Sequence, residues 1–201
     1  MSLPDPSREP SASTPPPARD GEWLAEWPLK DGAVVRIRDV RPDDEPLITE
    51  AIRTASRETL LHRFFSPIRS VSPDLLRRML TIDRTQERCL VGVVEQNGDT
   101  RIIGGARYVK LPRPGAAEFA LTVHDDFQSR GLGTFLMRLL VNLARAEGLH
   151  RLEADVMSSN NKMLRLCRKS EWGRAQWQRL GDVYHVVIEL EPPPARRARP
   201  A

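Results

Sequence analysis

Long apolar runs are absent from this 201-residue sequence. A helix needs roughly 18 or more consecutive apolar residues to cross a bilayer, and the sequence has no such run. The N-terminus, Met-Ser-Leu-Pro-Asp-Pro-Ser-Arg-Glu-Pro, also lacks the apolar stretch of a secretory signal. We therefore expect a cytoplasmic protein that does not associate with membranes.

Cysteine is scarce, with only Cys89 and Cys167 in the chain. Two cysteines form no disulfide framework, and neither lies in a Cys-x-x-Cys pair or beside a histidine at metal-ligand spacing. His62, His124 and His150 show no ligand spacing either. We predict no bound metal, and we interpret both cysteines as small core residues.

Lysine is rare as well, because arginine supplies almost all of the 31 basic residues. The arginines are scattered among Asp and Glu, many of them at the spacing of a solvated helix face, and the formal net charge is only +4. A nucleic-acid-binding surface would require a basic patch or stripe. We expect no nucleic-acid partner.

Proline, serine and alanine dominate residues 1–20, which show no hydrophobic periodicity. Such a segment cannot bury enough surface to offset its ordering entropy, so we expect a disordered arm. Residues 192–201 form a basic, Pro- and Arg-rich tail for which we expect the same. Residues 21–191 fit a single domain.

Periodicity and turn residues predict alternating strands and helices within that domain. A lead-in hairpin arm at 22–32 precedes the first strand. The predicted order is then a strand at 33–40, a helix that starts near Pro42, a helix at 72–83, strands at 89–95, 101–109 and 116–123, a long helix after Gly131 and Gly133, a strand at 151–157, a short helix at 160–168 and a strand at 183–190.

The turn Gln128-Ser-Arg-Gly131-Leu-Gly133-Thr134 connects a predicted strand to the long helix. A helix N-terminus offers free N–H groups and the positive end of the helix dipole, and glycine lets a phosphate approach the backbone closely. Two common phosphate loops do not fit. A dinucleotide fingerprint needs a third glycine where Leu136 stands, and a Walker A loop needs a lysine before Thr134.

The spacing Gln-x-x-Gly-x-Gly resembles the acyl-CoA pyrophosphate loop of the GNAT N-acetyltransferase superfamily, and the order of elements from 33 to 190 is similar to that fold. The resemblance implies an α/β (α+β) fold, with a mixed, mostly antiparallel twisted sheet of six to seven strands, about four helices, and a CoA cleft between the central parallel strands. It implies acetyl-CoA as the co-substrate. The residues expected to contact acetyl-CoA are Leu121, Thr122, Val123, Gln128, Ser129, Arg130, Gly131, Leu132, Gly133, Thr134 and Asn160.

The resemblance also implies how these residues act. The backbone of 121–123 would pair with the pantetheine amides, and the amides of 130–134 would hold the pyrophosphate. Two interpretations stay open for Arg130, which would either add charge to the phosphate site or face solvent. Two also stay open for Asn160, which would either contact CoA or serve only as a helix N-cap.

A more specific resemblance involves Ser56-Arg-Glu-Thr-Leu-Leu-His-Arg-Phe-Phe-Ser-Pro67, followed by Ser-Pro-Asp-Leu-Leu and Thr81-Ile-Asp83. These strings are similar to the Pat-type bacterial protein lysine acetyltransferases, which acetylate a lysine of acyl-CoA synthetases. The resemblance implies that the acceptor is the ε-amino group of a lysine in a target protein such as an acyl-CoA synthetase. Two alternatives remain: an acetyltransferase for a small-molecule amine, and a non-catalytic acyl-CoA-binding sensor.

Acetyl transfer to lysine needs a base, because a free lysine with a pKa of about 10.4 is almost fully protonated at neutral pH. Glu118 is the candidate. A charge among small residues of an inner strand is costly unless it is paired or used, and the resemblance places the catalytic glutamate of Pat-type enzymes here. The alternative is a glutamate paired with an arginine at a strand edge. Cys167 stands where many GNAT enzymes have a tyrosine acid, so no general acid is evident.

Overall fold

The computed structural model describes residues 23–29, 32–68, 71–96 and 98–190. The arm predicted at 1–20 and the tail predicted at 192–201 lie outside the described residues. The strands are Ala25–Pro28 (β1), Val34–Asp39 (β2), Glu87–Gln96 (β3), Asp99–Lys110 (β4), Ala116–Val123 (β5), Arg151–Met157 (β6), Gly173–Leu180 (β7) and Val183–Leu190 (β8). They form one sheet in the order β1-β2-β3-β4-β5-β6-β8-β7.

The α-helices of the described chain are Glu45–Thr54 (α1), Arg57–Phe64 (α2), Pro73–Leu80 (α3), Leu132–Ala146 (α4) and Asn161–Cys167 (α5). Short polar side chains cap several of them. Ser72 Oγ accepts a hydrogen bond from Leu75 N at 3.2 Å, and Pro73 occupies the first helical position, which confirms the predicted start of α3. Within the described residues, no helix is long and apolar enough to cross a membrane.

The predicted fold class is confirmed, with one or two more strands and one more helix than the sequence predicted. β1 belongs to the segment predicted as a lead-in arm. α2 was not predicted as a separate element, because it is one short helix set off from α1 by the extended residues Ala55 and Ser56. β7 has no counterpart in the prediction, since this edge strand is mostly exposed and polar and gives little hydrophobic signal.

Two strands at the centre of the sheet, β5 and β6, are its parallel pair, and the other neighbouring strands are antiparallel. Their pairing joins Ala116–Glu118 to Arg151–Glu153 and then stops. Beyond this point β5 stays paired with β4 as far as Val123, and β6 stays paired with β8 as far as Met157. The two strands therefore separate beyond Glu118 and leave a gap in the sheet.

A β-bulge in β4 lies beside this gap. Gly92 of β3 pairs with Gly104 and Val93 pairs with Ile102, so that Ile103 is an extra residue in β4. The Ile103 carbonyl accepts a hydrogen bond from His124 N at 2.9 Å, where β5 ends. Because a bulge bends its strand and increases the local twist, it favours the separation of β5 from β6.

Helices cover both faces of the sheet. On one face, the buried side of α4, including Leu136 and Leu140, packs against β-sheet residues such as Tyr108 and Phe119 in the larger core cluster. On the other face, a smaller cluster joins α1 and α3 to β3 and β4; its buried members are Val40, Ile48, Leu76, Leu80, Val91, Val93 and Ile102. The gap between β5 and β6 therefore opens between two layers of helices.

A buried ion pair links β2 to the turn before α1. Arg38 donates to both carboxylate oxygens of Asp44, at 2.7 and 2.6 Å, and Asp44 also accepts from Arg41 N at 2.8 Å. Arg38 is 5% exposed and Asp44 is 2% exposed. This bidentate pair ties the start of the helical layer to the sheet.

We expect the substitution Asp44→Ala to lower the free energy of unfolding by about 3–5 kcal/mol, because it leaves the Arg38 guanidinium buried without its carboxylate. Urea denaturation followed by circular dichroism measures this change. Asp74→Ala is the matched control, since Asp74 pairs with Arg77 on the exposed surface and its loss should have little effect. Equal losses in the two variants would contradict this view of the pair.

Candidate functional site

The loop before α4 is built to present backbone amides. Ser129 has a φ of 59° and Gly131, the N-cap of α4, has a φ of 89°. A Cβ added to Gly131 would lie 3.0 Å from Trp27 Cζ2, and the Trp27 ring stacks on Phe135 with a centroid distance of 4.8 Å. Only glycine suits this position, and the first amides of α4, which have no partner within the helix, are left to bind an anion.

The side chain of Gln128 holds this loop in place. Its Nε2 donates to Val123 O at 3.0 Å and to Thr59 Oγ1 at 3.1 Å, and its Oε1 accepts from Lys162 Nζ at 2.5 Å. Gln128 therefore connects the end of β5 to α2 and α5. The sequence predicts contact with CoA for Gln128; in the structure this residue lines the cleft, and its side chain positions the loop.

Helix α2 is attached beside the loop through Asp125. This carboxylate accepts from Ser56 N at 2.8 Å, from Ser56 Oγ at 2.7 Å and from Thr59 Oγ1 at 2.8 Å. Burial raises the pKa of Asp125, but these hydrogen bonds outweigh it and hold the pKa below its usual range. His62, at the other end of α2, reaches Ser159 Oγ at 3.0 Å, so that α2 bridges the gap from the β5 side to the β6 side.

A cleft of about 460 Å³ lies in the gap between β5 and β6. The structure brings most of the predicted cofactor residues together in its lining: Leu121, Thr122, Val123, Gln128, Ser129, Gly131, Gly133, Thr134 and Asn160. Because β5 has left β6 at this point, backbone groups of 121–123 on the β6 side face the cleft and suit an extended ligand with amide groups.

Two predicted residues lie outside this lining. Leu132 is fully buried in the core, so only its backbone amide is available to a ligand. Arg130 is exposed, and its guanidinium lies 5.4 Å from the centroid of the Phe127 ring. Asn160 lines the cleft and is also a helix N-cap, since its Oδ1 accepts from Met163 N at 3.1 Å.

Glu118 lies at the last paired position of β5, opposite Glu153 of β6. Its side chain is exposed and lines a second cleft of about 430 Å³ rather than the larger one. The alternative prediction for Glu118 is a carboxylate paired with an arginine, and this description fits the neighbouring Glu153 instead. Glu153 is 4% exposed, forms an ion pair with Arg151 at 2.6 Å and also contacts Arg113.

The second cleft is rich in acidic groups, and we call it the acidic cleft. Besides Glu118 and Glu153 it includes Asp155, which contacts His185 Nδ1 at 2.8 Å, and the backbone and side chains of 111–113 form its rim. Among these carboxylates, Glu153 and Asp155 are held by neighbouring cations or by histidine, whereas Glu118 faces the open cleft.

Arg63 is a residue of the site that the sequence did not single out. It lines the larger cleft, and its electrostatic neighbours include Arg107 and Glu118. Burial lowers its pKa, the charge of Arg107 lowers it further, and Glu118 opposes this change. The segment 56–67, which includes Arg63, carries the resemblance to Pat-type enzymes. The spacing of its residues does not indicate which side chain faces the cleft.

The residue in the usual tyrosine position, Cys167, is fully buried, and burial raises the pKa of its thiol to about 12. Its neighbour Trp172 is buried too and donates from Nε1 to Leu166 O at 2.7 Å. Cys167 is therefore a core residue, as its residue type predicted, and it is out of reach of the cleft as an acid. Cys89, which is only partly exposed, packs against the smaller core cluster.

A sheet that opens between two parallel strands, beside a glycine loop that starts a long helix, is the architecture of the GNAT acyltransferase fold. The sequence agrees. The chain belongs to the Acetyltransferase (GNAT) family, whose sequence profile matches residues 54–172. Proteins of this family use acetyl-CoA.

Individual relatives are bacterial acetyltransferases. Acetyltransferase PA5475 of Pseudomonas aeruginosa is 34% identical over 139 residues, which are 69% of this chain and 75% of that protein. Acetyltransferase Pat of Mycolicibacterium smegmatis is 31% identical over 181 residues; these cover 90% of this chain but only 49% of Pat, so the chain spans about half of that relative. The crystal structure of the GNAT domain of S. lividans PAT superposes with a TM-score of 0.74 and 25% identity, covering 86% of this chain and 100% of that one.

The loop geometry makes a direct prediction for Gly131→Ala. Its Cβ would press on Trp27 and its φ would be strained, so the loop should shift and acetyl-CoA should bind at least about tenfold more weakly, as measured by isothermal titration calorimetry. Gly148→Ala, beyond the other end of α4, is the control. Gly148 also has a positive φ, 77°, but a Cβ there would meet nothing within 4 Å. If both variants bind acetyl-CoA equally well, the loop is not the binding element.

Proposed function

We propose that this protein transfers an acetyl group from acetyl-CoA to the ε-amino group of a lysine in a target protein, such as an acyl-CoA synthetase. The observation that carries the proposal is the position of Glu118. This exposed carboxylate lies where β5 and β6 separate, and its side chain lines the acidic cleft. The sequence similarity to Pat supports a protein lysine as the acceptor.

The larger cleft suits acetyl-CoA in its charge and in its backbone groups. The amides of 130–134 would hold the pyrophosphate at the start of α4, and the free backbone groups of 121–123 would pair with the pantetheine amides. Lys162 and Arg165 of α5 also line the cleft and add positive charge for the phosphates. Gly131 allows the positive φ of this loop, and a Cβ there would press on the Trp27 ring.

The acidic cleft suits a cationic acceptor. A lysine approaches as an ammonium ion, and the carboxylates of Glu118 and Asp155 would attract it. On the order of one lysine in a thousand is neutral at neutral pH, so the acceptor must give up a proton before it can attack. Glu118 would take this proton as the general base.

The amine nitrogen then attacks the thioester carbon, a C–N bond forms and the C–S bond breaks. The attacking nitrogen loses a proton to water as the amide forms, and the departing thiolate takes one from water, since Cys167 is buried too deeply to supply it. In this scheme Glu118 accepts the proton of the lysine. The loop before α4 and the end of β5 hold acetyl-CoA in position for the acceptor lysine, and such positioning is itself a large part of catalysis.

We expect Glu118→Gln to lower kcat for lysine acetylation by about 100-fold or more, because a general base is lost while the shape of the side chain is kept. The affinity for acetyl-CoA should change less than about twofold, since Glu118 lies outside the larger cleft. Glu95→Gln, at an exposed position on β3, controls for removal of a carboxylate. A large loss of acetyl-CoA binding in Glu118→Gln would show that its role is misassigned.

The acceptor class is tested by incubating the protein with acetyl-CoA and either an acyl-CoA synthetase or small amines, namely a polyamine, an aminoglycoside antibiotic and free amino acids. Mass spectrometry of the synthetase should show acetylation of lysine. If a small amine is acetylated faster than the synthetase, the acceptor is a small amine and not a protein lysine. Binding of acetyl-CoA without turnover on any acceptor would indicate a sensor.

A further inference from the structure

An apolar pocket of about 120 Å³ lies between the sheet and the layer of α1, α2 and α3. Its walls are mainly aliphatic or aromatic, and its floor on β4 and β5 is made of small residues. The main wall residues are Ala51, Ile52, Phe64, Met79 and Ile102, and the floor includes Ala120. It is therefore a site for apolar atoms rather than for a charged group.

This pocket adjoins the larger cleft. Thr59, Arg63 and Thr122 line both cavities. Thr122 belongs to the segment of β5 that faces the proposed path of pantetheine, so the pocket begins where the thioester end of a bound acyl-CoA would lie. This placement rests on the function proposed above.

The polar groups of the pocket do not make it hydrophilic. Burial raises the pKa of the Cys89 thiol to about 11, so this thiol is neutral at physiological pH. Arg107 is ion-paired with Glu87, and the Arg63 guanidinium lies 5.1 Å from the Phe64 ring centroid. His124 Nε2 contacts Thr54 Oγ1 at 3.1 Å. Each of these polar groups either is neutral or has a partner in the protein, whereas Thr122 Oγ1 is a buried oxygen of the lining without a hydrogen-bond partner among the described residues.

We propose that this pocket receives the carbon chain of an acyl-CoA whose acyl group is longer than acetyl, and that the protein transfers short-chain acyl groups such as butyryl. The bond changes are those of acetyl transfer. The C–S bond of the thioester breaks, a C–N bond to the acceptor amine forms, the amine nitrogen loses a proton, the thiolate gains one and the carbon chain stays intact.

The pocket volume sets the chain length. A dry apolar cavity of about 150 Å³ holds a benzene molecule of six carbons, so the pocket of about 120 Å³ has room for roughly five carbons. Butyryl places two carbons beyond the acetyl group, and hexanoyl places four. A decanoyl chain would exceed the pocket and would have to remain partly in water.

The test is the affinity of the full chain for CoA, acetyl-CoA, butyryl-CoA, hexanoyl-CoA and decanoyl-CoA, measured by isothermal titration calorimetry. We expect the affinity to rise by up to about fourfold for each added methylene as far as hexanoyl, and then to level off or fall. If CoA and acetyl-CoA bind but butyryl-CoA binds no more tightly than acetyl-CoA, the pocket does not hold the chain. If none of the five ligands binds, the function proposed above fails instead.

A pair of substitutions in α1 locates the effect. Ala51→Leu fills the pocket and should lower the ratio of butyryl-CoA to acetyl-CoA affinity by about tenfold, whereas Thr49→Leu adds similar bulk on the exposed face and should leave this ratio unchanged. Met79→Ala, which enlarges the pocket, should move the preferred chain length upwards and provides a second result if Ala51→Leu does not fold. Equal ratios in all three variants and the parent protein would overturn the inference.

Discussion

The whole site depends on the early end of the pairing between β5 and β6. Each strand has a longer antiparallel partner on its outer side, β4 for one and β8 for the other, and the two share only the pairs from Ala116–Arg151 to Glu118–Glu153. The bulge at Ile103 adds twist to β4 at the end of β5. Each strand therefore follows its outer partner, and the gap exposes backbone groups that a continuous sheet would have used for itself.

A polar network keeps this gap open in one shape. Asp125 and Gln128, both just beyond β5, bind Thr59 of α2, and Gln128 also binds Lys162 of α5. Helices on either side of the gap are thus tied to the same short loop that starts α4. Asp125 and Gln128 come just before the residues whose amides begin α4, so an anion at the start of α4 would meet a loop that is already fixed to α2 and α5.

Local features could be predicted from the sequence, and distant contacts could not. The glycine turn, the long helix after it and the start of α3 near residue 72 are each set by a few consecutive residues, and the structure confirms these elements. The hydrogen bond between Asp125 and Ser56 could not be predicted in this way, because the two residues are 69 positions apart in the chain and no spacing rule connects them. Arg63 was missed for the same reason, because its importance comes from the cavities on either side of it and not from its own helix.

The acidic cleft and the apolar pocket lie along the same face of β5, and their chemistry differs because this face meets different neighbours along its length. Beyond Glu118, the face of β5 that carries Ala120 and Thr122 looks towards α1 and α2, where the lining is apolar. At Glu118 itself the same face meets β6 and β8, whose outward residues Asp155 and His185 are polar. The surroundings of β5 thus change from acidic at Glu118 to apolar at Thr122, four residues further along the strand. Under the two proposals made above, a thioester held along the end of β5 would have its acyl chain in the apolar pocket and its carbonyl carbon open to an amine from the acidic cleft, and holding the two reactants in this way favours acyl transfer.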